Sequence, residues 1–452
     1  MTAGRGVYAI LFSTKNQQMS HPATPLESLR IFSIKGVQMR TFHITWLSFF
    51  VCFFAWFGIA PLMPLVSEQL HLTRAQQGNI GIAAVSATII ARLAVGRLCD
   101  RFGPRRTYTI LLLVSAVPVM LIGFSNSYIS FLIFRLFIGV IGASFVLTQY
   151  HTSVMFAPRI KGTANAVAGG WGNTGGGVTQ LLMPLIAAGM VAMGWIDEAN
   201  SWRLAMVVPG VLLLLMAWLY WNYTTDTPAG NFEDLPEQAS ARKENTFLLA
   251  ARDYRTWLLT IAYAACFGVE ITVDNFAASF FHHDFKTSLI MAGLLAGIFG
   301  SLNIFARALG GLLSDKIGRR YGFRGKTNLL VALLLLEGLG IVLFAQAGSL
   351  WMAIALMFFF GLCLKMANGA TYSMVPFISQ KAIGSVAGIV GAGGNIGAML
   401  IGFLFKAYPY ATAFYYLGIT VAVVGLLIVA VRRLVKPVAE TKPENLAPAM
   451  RA

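Results

Sequence analysis

The chain consists of long blocks of apolar residues separated by short polar segments. An α-helix needs about 20 apolar residues to cross the hydrocarbon core of a bilayer. Twelve blocks reach that length, and none shows the alternation of a spanning β-strand. The pattern therefore predicts an all-α membrane protein with twelve transmembrane helices, at 43–65, 76–98, 107–125, 128–150, 163–191, 203–222, 257–281, 288–313, 327–346, 349–372, 383–407 and 410–431.

A polar stretch that includes Pro228, Gly230 and Pro236 separates the first six blocks from the last six. The residues before the first block lack the sustained apolar run of a cleavable signal peptide, so we expect none. The predicted divisions are an N-terminal extension at 1–42, a first six-helix bundle at 43–222, a central linker at 223–256, a second six-helix bundle at 257–431 and a C-terminal tail at 432–452.

Composition agrees with a membrane protein, because 57% of residues are apolar and 12% are charged, whereas soluble domains carry about 25% charged residues. The net charge of +16 does not indicate nucleic-acid binding, since the basic residues form no single patch. They lie in alternate loops, the central linker and the tail. The positive-inside rule then predicts that both termini are cytoplasmic. We expect a multi-pass protein of the cytoplasmic (inner) membrane.

The two predicted bundles share two sequence motifs. Arg92 and Asp100 near the end of the second block recur as Arg307 and Asp315 near the end of the eighth, with the same spacing. A glycine-rich segment with one asparagine occurs in the fifth block (GGWGNTG, 169–175) and again in the eleventh (GAGGNIG, 391–397). Two motifs repeated in the same order indicate an internal duplication, as in transporters built from parallel repeats.

These segments carry a resemblance to a known superfamily. Gly96–Arg106 and its copy Gly311–Arg320 resemble the loop motif of the major facilitator superfamily, and Arg135 with Gly139 is similar to a second of its motifs. The resemblance covers about residues 43–431. It implies the major facilitator fold and a transporter that works by alternating access.

The glycine-rich segments Ala168–Gly177 and Gly388–Gly397 resemble the paired signatures of the nitrate/nitrite porter family. That resemblance implies nitrate as the substrate, with nitrite as a further one. It also implies that Asn173 contacts the substrate, and it makes Asn395 a candidate for the same role. Aromatic residues at the family's site positions are expected to wall the site: Phe53, Phe145, Tyr263 and Phe267.

Arg92 and Arg307 are the main candidates for substrate binding. Each lies about one helical turn inside the bilayer at equivalent positions of the two bundles, where a charged side chain is costly and usually faces a cavity. The guanidinium is a permanently charged, planar fork of donors, and two such forks fit a planar monoanion such as nitrate. The alternative is that each arginine pairs with a carboxylate or with helix carbonyls.

The glycine runs allow close approach of neighbouring helices and of backbone to ligand, and Gly169 is taken as a site residue. Dense glycine also weakens a helix, by about 1 kcal/mol for each replacement of alanine. This density favours helices that slide or bend during transport. The alternative is small-residue packing alone, and the two readings are compatible.

Glu270 and Asp274 lie four residues apart in the seventh block and hence on one helix face. Intramembrane carboxylates often belong to proton relays, and an apolar environment favours the protonated form of a carboxyl group. A proton would offset the charge of an anion that enters against an inside-negative potential, so we expect proton-coupled uptake. The alternative is an ion pair of Glu270 with Lys365, Arg135 or a substrate-site arginine.

Gating roles are expected for the charged residues of the loop motifs and for the arginine of the fourth block: Asp100, Arg101, Asp315, Lys316 and Arg135. The sequence has no phosphate-cradling loop, metal-ligand cluster or catalytic triad. We therefore expect no enzyme activity, cofactor or metal. The expected partners are nitrate, nitrite, protons and the lipid bilayer, and we expect a monomer.

Three other functions remain compatible with the residues. A nitrate/nitrite antiporter of the same fold would exchange anions without protons. A membrane nitrate sensor would bind the anion without transport, but the central linker and the tail are short for a signalling domain. A facilitator for a different anion would not be inhibited by nitrate.

Overall fold

The computed structural model describes residues 25–234, 246–379 and 382–434, without the side chains of a few helical residues such as Asp100. Sixteen α-helices lie within those ranges: α1 (Val37–Phe57), α2 (Met63–Gln69), α3 (Arg74–Phe102), α4 (Pro104–Leu121), α5 (Tyr128–Ile138), α6 (Ser144–Met155), α7 (Pro158–Ala192), α8 (Ser201–Ala205), α9 (Val207–Tyr223), α10 (Thr246–Arg252), α11 (Tyr254–Asp284), α12 (Leu289–Ser301), α13 (Ala306–Ala345), α14 (Leu350–Met374), α15 (Ile383–Ala407) and α16 (Tyr410–Leu434).

The sequence sets where several of these helices begin. A hydroxyl side chain precedes α3, α5, α12 and α14 and accepts a hydrogen bond from a backbone N–H of the first turn: Thr73, Ser127, Ser288 and Ser349. By contrast, α4 and α7 begin with a proline, whose missing N–H costs nothing in the first turn. The helices therefore begin close to the predicted block edges.

Eleven helical stretches of the described chain are long and apolar enough to cross a bilayer. One of them, Ile290–Ala345, has 56 residues and would be about 84 Å long if straight, more than a bilayer requires. It joins the predicted blocks 288–313 and 327–346, and Gly322 with φ 60° breaks it between them. The all-helical fold of the predicted class is confirmed, with these two blocks joined into one stretch.

Several predicted boundaries differ from the observed helices. The first block, 43–65, begins earlier as α1 and breaks at the 3₁₀ turn Ala60–Leu62, where Pro61 lacks a backbone donor. The fourth block, 128–150, is likewise divided by a 3₁₀ turn at Gly139–Ala143. The expected linker at 223–256 contains α10 and the start of α11, because a helix continues beyond the apolar residues that mark its membrane part.

The chain before the central linker and the chain after it are called the two halves, and they meet along two helix pairs, α3 with α15 and α7 with α12. Glycines allow the second pair to approach closely, since a Cβ on Gly177 would lie 2.6 Å from the Cα of Gly300. Gln180 of α7 also donates a hydrogen bond of 2.6 Å to the backbone oxygen of Asp274 in α11. The central part of the molecule is therefore shared by both halves.

The end of the molecule where α3 begins is called the Arg74 end, and the opposite end is called the Arg106 end. At the Arg74 end the halves are joined, because Arg74 donates to the Tyr408 oxygen at 2.6 Å and lies over the Tyr410 ring. At the Arg106 end, Arg106 pairs with Glu233 of the central linker. The contacts of Arg74 therefore join the two halves at the Arg74 end, and Arg106 binds the linker at the opposite end.

Candidate anion-binding site

Arg92 of α3 reaches across the boundary between the halves. Its side chain is fully buried, its Nη1 donates to the carbonyl of Gly391 in α15, and its Nε donates to the Gly142 oxygen at 3.1 Å. Its Nη2 is buried with no hydrogen-bond partner. Because a buried donor without a partner is costly, this nitrogen is suited to an anionic ligand.

Arg307 of α13 occupies the corresponding place in the second half. It is 3% exposed, its Nη2 lies 2.6 Å from Glu270 Oε2, and its Nε is buried without a partner. It also borders the glycine-rich segment of the opposite half, since a Cβ on Gly170 would lie 3.6 Å from its Cβ. Each arginine thus contacts the other half's glycine-rich segment.

Aromatic rings bring the two arginines to one place. The guanidinium carbons of Arg92 and Arg307 lie 5.3 and 5.9 Å from the centre of the Phe267 ring. Phe145 stacks near Phe267 at 6.2 Å and also lies 5.3 Å from Arg92. Tyr263 stacks on Phe267 at 4.8 Å. Of the four predicted wall residues, Phe145 and Phe267 therefore contact the arginines in a way that favours a cation, and Tyr263 packs on Phe267 beside them.

The fourth predicted wall residue, Phe53, lies further away. Its ring packs at 4.6 Å on Phe49, which in turn contacts Phe145 at 5.6 Å. Phe53 also borders Gly176, whose Cβ would lie 3.6 Å from its ring. Phe53 therefore does not border the arginines, and it packs behind Phe145 through Phe49.

The glycine-rich segments supply backbone and amide groups. A Cβ on Gly169 would lie 3.1 Å from Gln149 Nε2 and 3.9 Å from Arg307 Nη1, so a side chain here would enter the site. Asn173, one turn further along the same face of α7, is buried with both amide atoms unpartnered. Asn395 donates to the Gly391 oxygen at 3.2 Å, and its own oxygen has no partner.

Glu270 is bound on both carboxylate oxygens. Arg307 and the Nδ2 of Asn368 contact Oε2 at 2.6 and 2.5 Å. Lys365 of α14 and the Nδ2 of Asn303 contact Oε1 at 2.7 and 3.0 Å. In this conformation Glu270 therefore forms the ion pairs that the sequence left open as the alternative, with Lys365 and with the substrate-site arginine.

Two other buried carboxyl groups belong to the second half. Asp274 is 4% exposed, and its Oδ1 has no hydrogen-bond partner. Glu337 of α13 is fully buried, with both carboxyl oxygens unpartnered. The sequence named Asp274 as a proton-coupling candidate and gave Glu337 no role.

The expected gating residues lie apart from the centre. Arg135 is buried and donates to the Trp56 oxygen at 3.0 Å. Asp315 pairs with Lys326 at 2.6 Å, across the break in α13. Arg101 lies over the ring of Phe102, Lys316 is exposed at the Arg106 end, and the side chain of Asp100 lies outside the described residues.

Sequence reasoning missed several polar residues of the centre. Tyr372 of α14 meets Phe145 and Tyr263 edge-on at 4.9 and 4.8 Å. Asn303 and Asn368 bind Glu270, and Lys365 appeared only as an alternative partner. Lys365 is the one charged residue of α14, with Asn368 three positions later on the same face, and this pairing was the available signal.

Solved structures match this fold. The proton:xylose symporter XylE bound to 6-bromo-6-deoxy-D-glucose aligns with a TM-score of 0.66 at 14% identity, over 87% of this chain and 95% of that chain. A bacterial homologue of the human lysosomal transporter Spinster, inward-facing and unoccupied, aligns with a TM-score of 0.65 at 16% identity, over 88% and 95%. This chain therefore has the same all-helical fold as these two proteins.

Sequence comparisons specify the family. The Major Facilitator Superfamily model matches residues 45–376. High affinity nitrate transporter 2.5 of Arabidopsis thaliana is 39% identical over 384 residues, covering 84% of this chain and 76% of the relative. Nitrate/nitrite transporter NrtP of Nostoc punctiforme is 28% identical over 474 residues, covering 88% and 93%. The chain belongs to the major facilitator superfamily and, within it, to the nitrate/nitrite porter family.

Proposed function

We propose that this protein is a secondary active transporter that carries nitrate, and also nitrite, across a membrane by alternating access of its two halves. The observation that carries the proposal is the meeting of Arg92 and Arg307, one from each half, on the Phe267 ring. Relatives named as nitrate transporters share 39% and 38% of residues over more than four-fifths of this chain. Nitrate is therefore the anion that the site is proposed to take.

Unpartnered donors support anion binding at this place. Arg92 Nη2, Arg307 Nε and Asn173 Nδ2 are all buried without hydrogen-bond partners. A planar monoanion bound between the guanidinium groups would accept charge-assisted hydrogen bonds from them. It would also reduce the repulsion between the two cations, so binding would draw the halves together around the site.

Orientation follows from the distribution of basic residues. The loops at the Arg106 end, the central linker and the two terminal segments together hold most of the Lys and Arg residues. The positive-inside rule places that end and both termini in the cytoplasm, with the protein in the cytoplasmic (inner) membrane. The joined Arg74 end then faces outward.

Coupling to protons is proposed through the carboxyl groups of α11. Glu270 contacts Arg307 directly, and the Oδ2 of Asp274 lies 3.4 Å from the place of a Cβ on Gly176 in α7. Both carboxyl groups are buried beside the anion site, where proton binding would change the charge that the substrate meets. The protein would then act as a monomeric proton–nitrate symporter.

Uptake of labelled nitrate into proteoliposomes, measured with and without a pH gradient that is acidic outside, tests both nitrate transport and proton coupling. We expect uptake that the gradient stimulates and that is accompanied by proton entry. Uptake without any proton flux would leave the nitrate proposal intact and replace symport with nitrate/nitrite exchange. The absence of nitrate uptake under every gradient, including trans nitrite, would refute the proposed function.

A further inference from the structure

The Glu270 carboxylate binds Arg307, one of the two arginines of the proposed anion site. Each of its oxygens is bound by one cation and one amide: Oε2 by Arg307 and Asn368, and Oε1 by Lys365 and Asn303. Glu270, Lys365 and Asn368 are fully buried, and Arg307 is 3% exposed. Because these side chains are shielded from bulk solvent, water does not readily replace the contact of Glu270 to Arg307 when that contact is lost.

Resting on the proposed function, we propose that Glu270 is a tethered competitor of the substrate anion for Arg307, and that Lys365 is the positioning residue that holds the displaced carboxylate. A carboxylate and nitrate are both planar anions that accept bidentate bonds from a guanidinium. Arg307 Nη2 cannot serve both fully. Substrate binding therefore requires this contact to lengthen or break.

Lys365 lowers the free-energy cost of replacing Glu270 by the substrate on Arg307. Removing one partner of a buried ion pair normally destabilises a protein strongly, because the other charge is left uncompensated. Here the displaced carboxylate keeps the Lys365 ammonium and the two amides of Asn303 and Asn368. The arginine is therefore released without leaving a bare charge in the centre.

The groups that face Glu270 define what else can act on it. Besides its two cations, the titratable side chains around it come from α11 and α13: Tyr263, Cys266, Asp274 and Glu337. All four are acids that cannot form an ion pair with a carboxylate, so the ion-pair partners of Glu270 among the described residues are Arg307 and Lys365. The substrate therefore competes with Glu270 for Arg307, and Lys365 is the cation that remains to hold Glu270.

A double-mutant cycle on the full-length protein in detergent tests this inference, with nitrate affinity measured by isothermal titration calorimetry. We expect Glu270→Gln to tighten nitrate binding about tenfold, because the competitor is gone. Lys365→Gln should weaken it about tenfold, because Glu270 then stays on Arg307. Glu337→Gln is the matched control, an equally buried glutamate without ion pairs, and should leave the affinity unchanged.

The combined variant distinguishes competition from a general change of charge. If Lys365 acts by holding Glu270, Lys365→Gln should change affinity less than about threefold in the Glu270→Gln background. Equal effects of Lys365→Gln in both backgrounds would overturn the inference, as would unchanged or weaker binding by Glu270→Gln. If Glu270→Gln alone does not fold, the combined variant, which also removes one positive charge, is compared with the wild type instead. Nitrate binding by the combined variant that is no tighter than in the wild type would then overturn the inference. Failure of the wild type to bind nitrate would instead refute the proposed function.

Discussion

Arg92 and Arg307 are equivalent in the repeated sequence but differ in their surroundings. Arg307 is paired with Glu270, whereas Arg92 bonds to the carbonyls of Gly142 and Gly391. Among the described side chains, the membrane helices of the first half place no carboxylate near the site, while those of the second half hold three buried ones: Glu270, Asp274 and Glu337. The two halves therefore share a buried arginine at equivalent positions, whereas the buried carboxylates near it lie in the second half.

This asymmetry suggests a division of labour between the halves. A guanidinium bound only by carbonyls and aromatic rings keeps its full charge for an incoming anion. A guanidinium paired with a carboxylate has its charge offset until that carboxylate is displaced. The first half would then attract the substrate, and the second half would link binding to rearrangement and protonation.

Removing either cation gives the largest expected effect. Arg92→Ala and Arg307→Ala should each reduce nitrate uptake into proteoliposomes to background, because half of the anion's charge-assisted bonds are lost. They should differ in stability, since only Arg307→Ala deprives a buried carboxylate of a partner. A lower melting temperature for Arg307→Ala than for Arg92→Ala, measured by thermal unfolding in detergent, checks the asymmetry.

Arg252 of α10 is exposed and offers a control for the alanine variants. Arg252→Ala should retain wild-type uptake and melting temperature. If Arg92→Ala transports normally, the first half does not supply the anion-binding charge. If Arg92→Ala and Arg307→Ala melt at the same temperature, the ion pair between Arg307 and Glu270 does not contribute measurably to the stability of the protein.

Lysine substitutions should have a smaller effect that depends on the half. Lysine keeps the charge but loses the planar fork. At Arg92, whose nitrogens serve both Gly142 and Gly391, Arg92→Lys should lower nitrate affinity about tenfold, the loss of about one charge-assisted hydrogen bond. At Arg307, a lysine can still pair with Glu270, so folding should be preserved while affinity falls. Titration calorimetry with nitrate measures both, and unchanged affinity in both would show that the fork is not used.

The sequence predicted the cations more completely than their partners. The repeat alone showed that Arg92 and Arg307 are equivalent, and the duplicated glycine segments indicated where the halves meet. For Glu270 the sequence left three kinds of partner open. The choice depends on how α11 packs against α13 and α14, which no local pattern encodes.

Asn303 shows why some site residues escaped sequence analysis. The predicted block 288–313 is continuous, so helical spacing was assumed throughout. The structure instead has a 3₁₀ turn at Leu302–Ile304, and Phe305 departs from helical geometry with φ −127° and ψ −33°. This break brings the amide of Asn303 to Glu270. Likewise, apolar length predicted two crossings in 288–346 but could not show that they join through Gly322.

Glycine replacements should have intermediate effects and again distinguish the halves. A Cβ on Gly391 would lie 3.2 Å from Arg92 Nη1 and 3.0 Å from the Tyr372 hydroxyl, whereas a Cβ on Gly169 would lie 3.9 Å from Arg307 Nη1. Gly391→Ala should therefore weaken nitrate binding severalfold, and Gly169→Ala should weaken it less. The reverse order in a binding titration would contradict the described packing around Arg92.

The smallest expected effect concerns the start of the central linker. Asp226 accepts hydrogen bonds from the backbone N–H groups of Arg105 and Phe232 at 2.8 and 3.1 Å. Asp226→Ala should loosen residues 224–234 by about 1–2 kcal/mol for the lost bonds and change uptake little. Faster amide exchange in this segment, measured by hydrogen–deuterium exchange, checks the prediction.

Burial raises the pKa of Asp226 above its ordinary value of 3.8. The docked form therefore holds a proton more readily than the undocked form, and docking gains stability as the pH falls through the raised pKa. At neutral pH the charge on Asp226 opposes docking. Exchange protection of residues 224–234, corrected for the intrinsic rate, should increase on acidification in the wild type and not in Asp226→Ala.

A cryo-electron microscopy map of the nitrate-bound protein tests the central claim most directly. We expect density for the anion between the guanidinium groups of Arg92 and Arg307, beside the Phe267 ring, with Glu270 shifted from Arg307 toward Lys365. Nitrate bound elsewhere, or bound while the distance of 2.6 Å between Arg307 and Glu270 persists, would contradict the account.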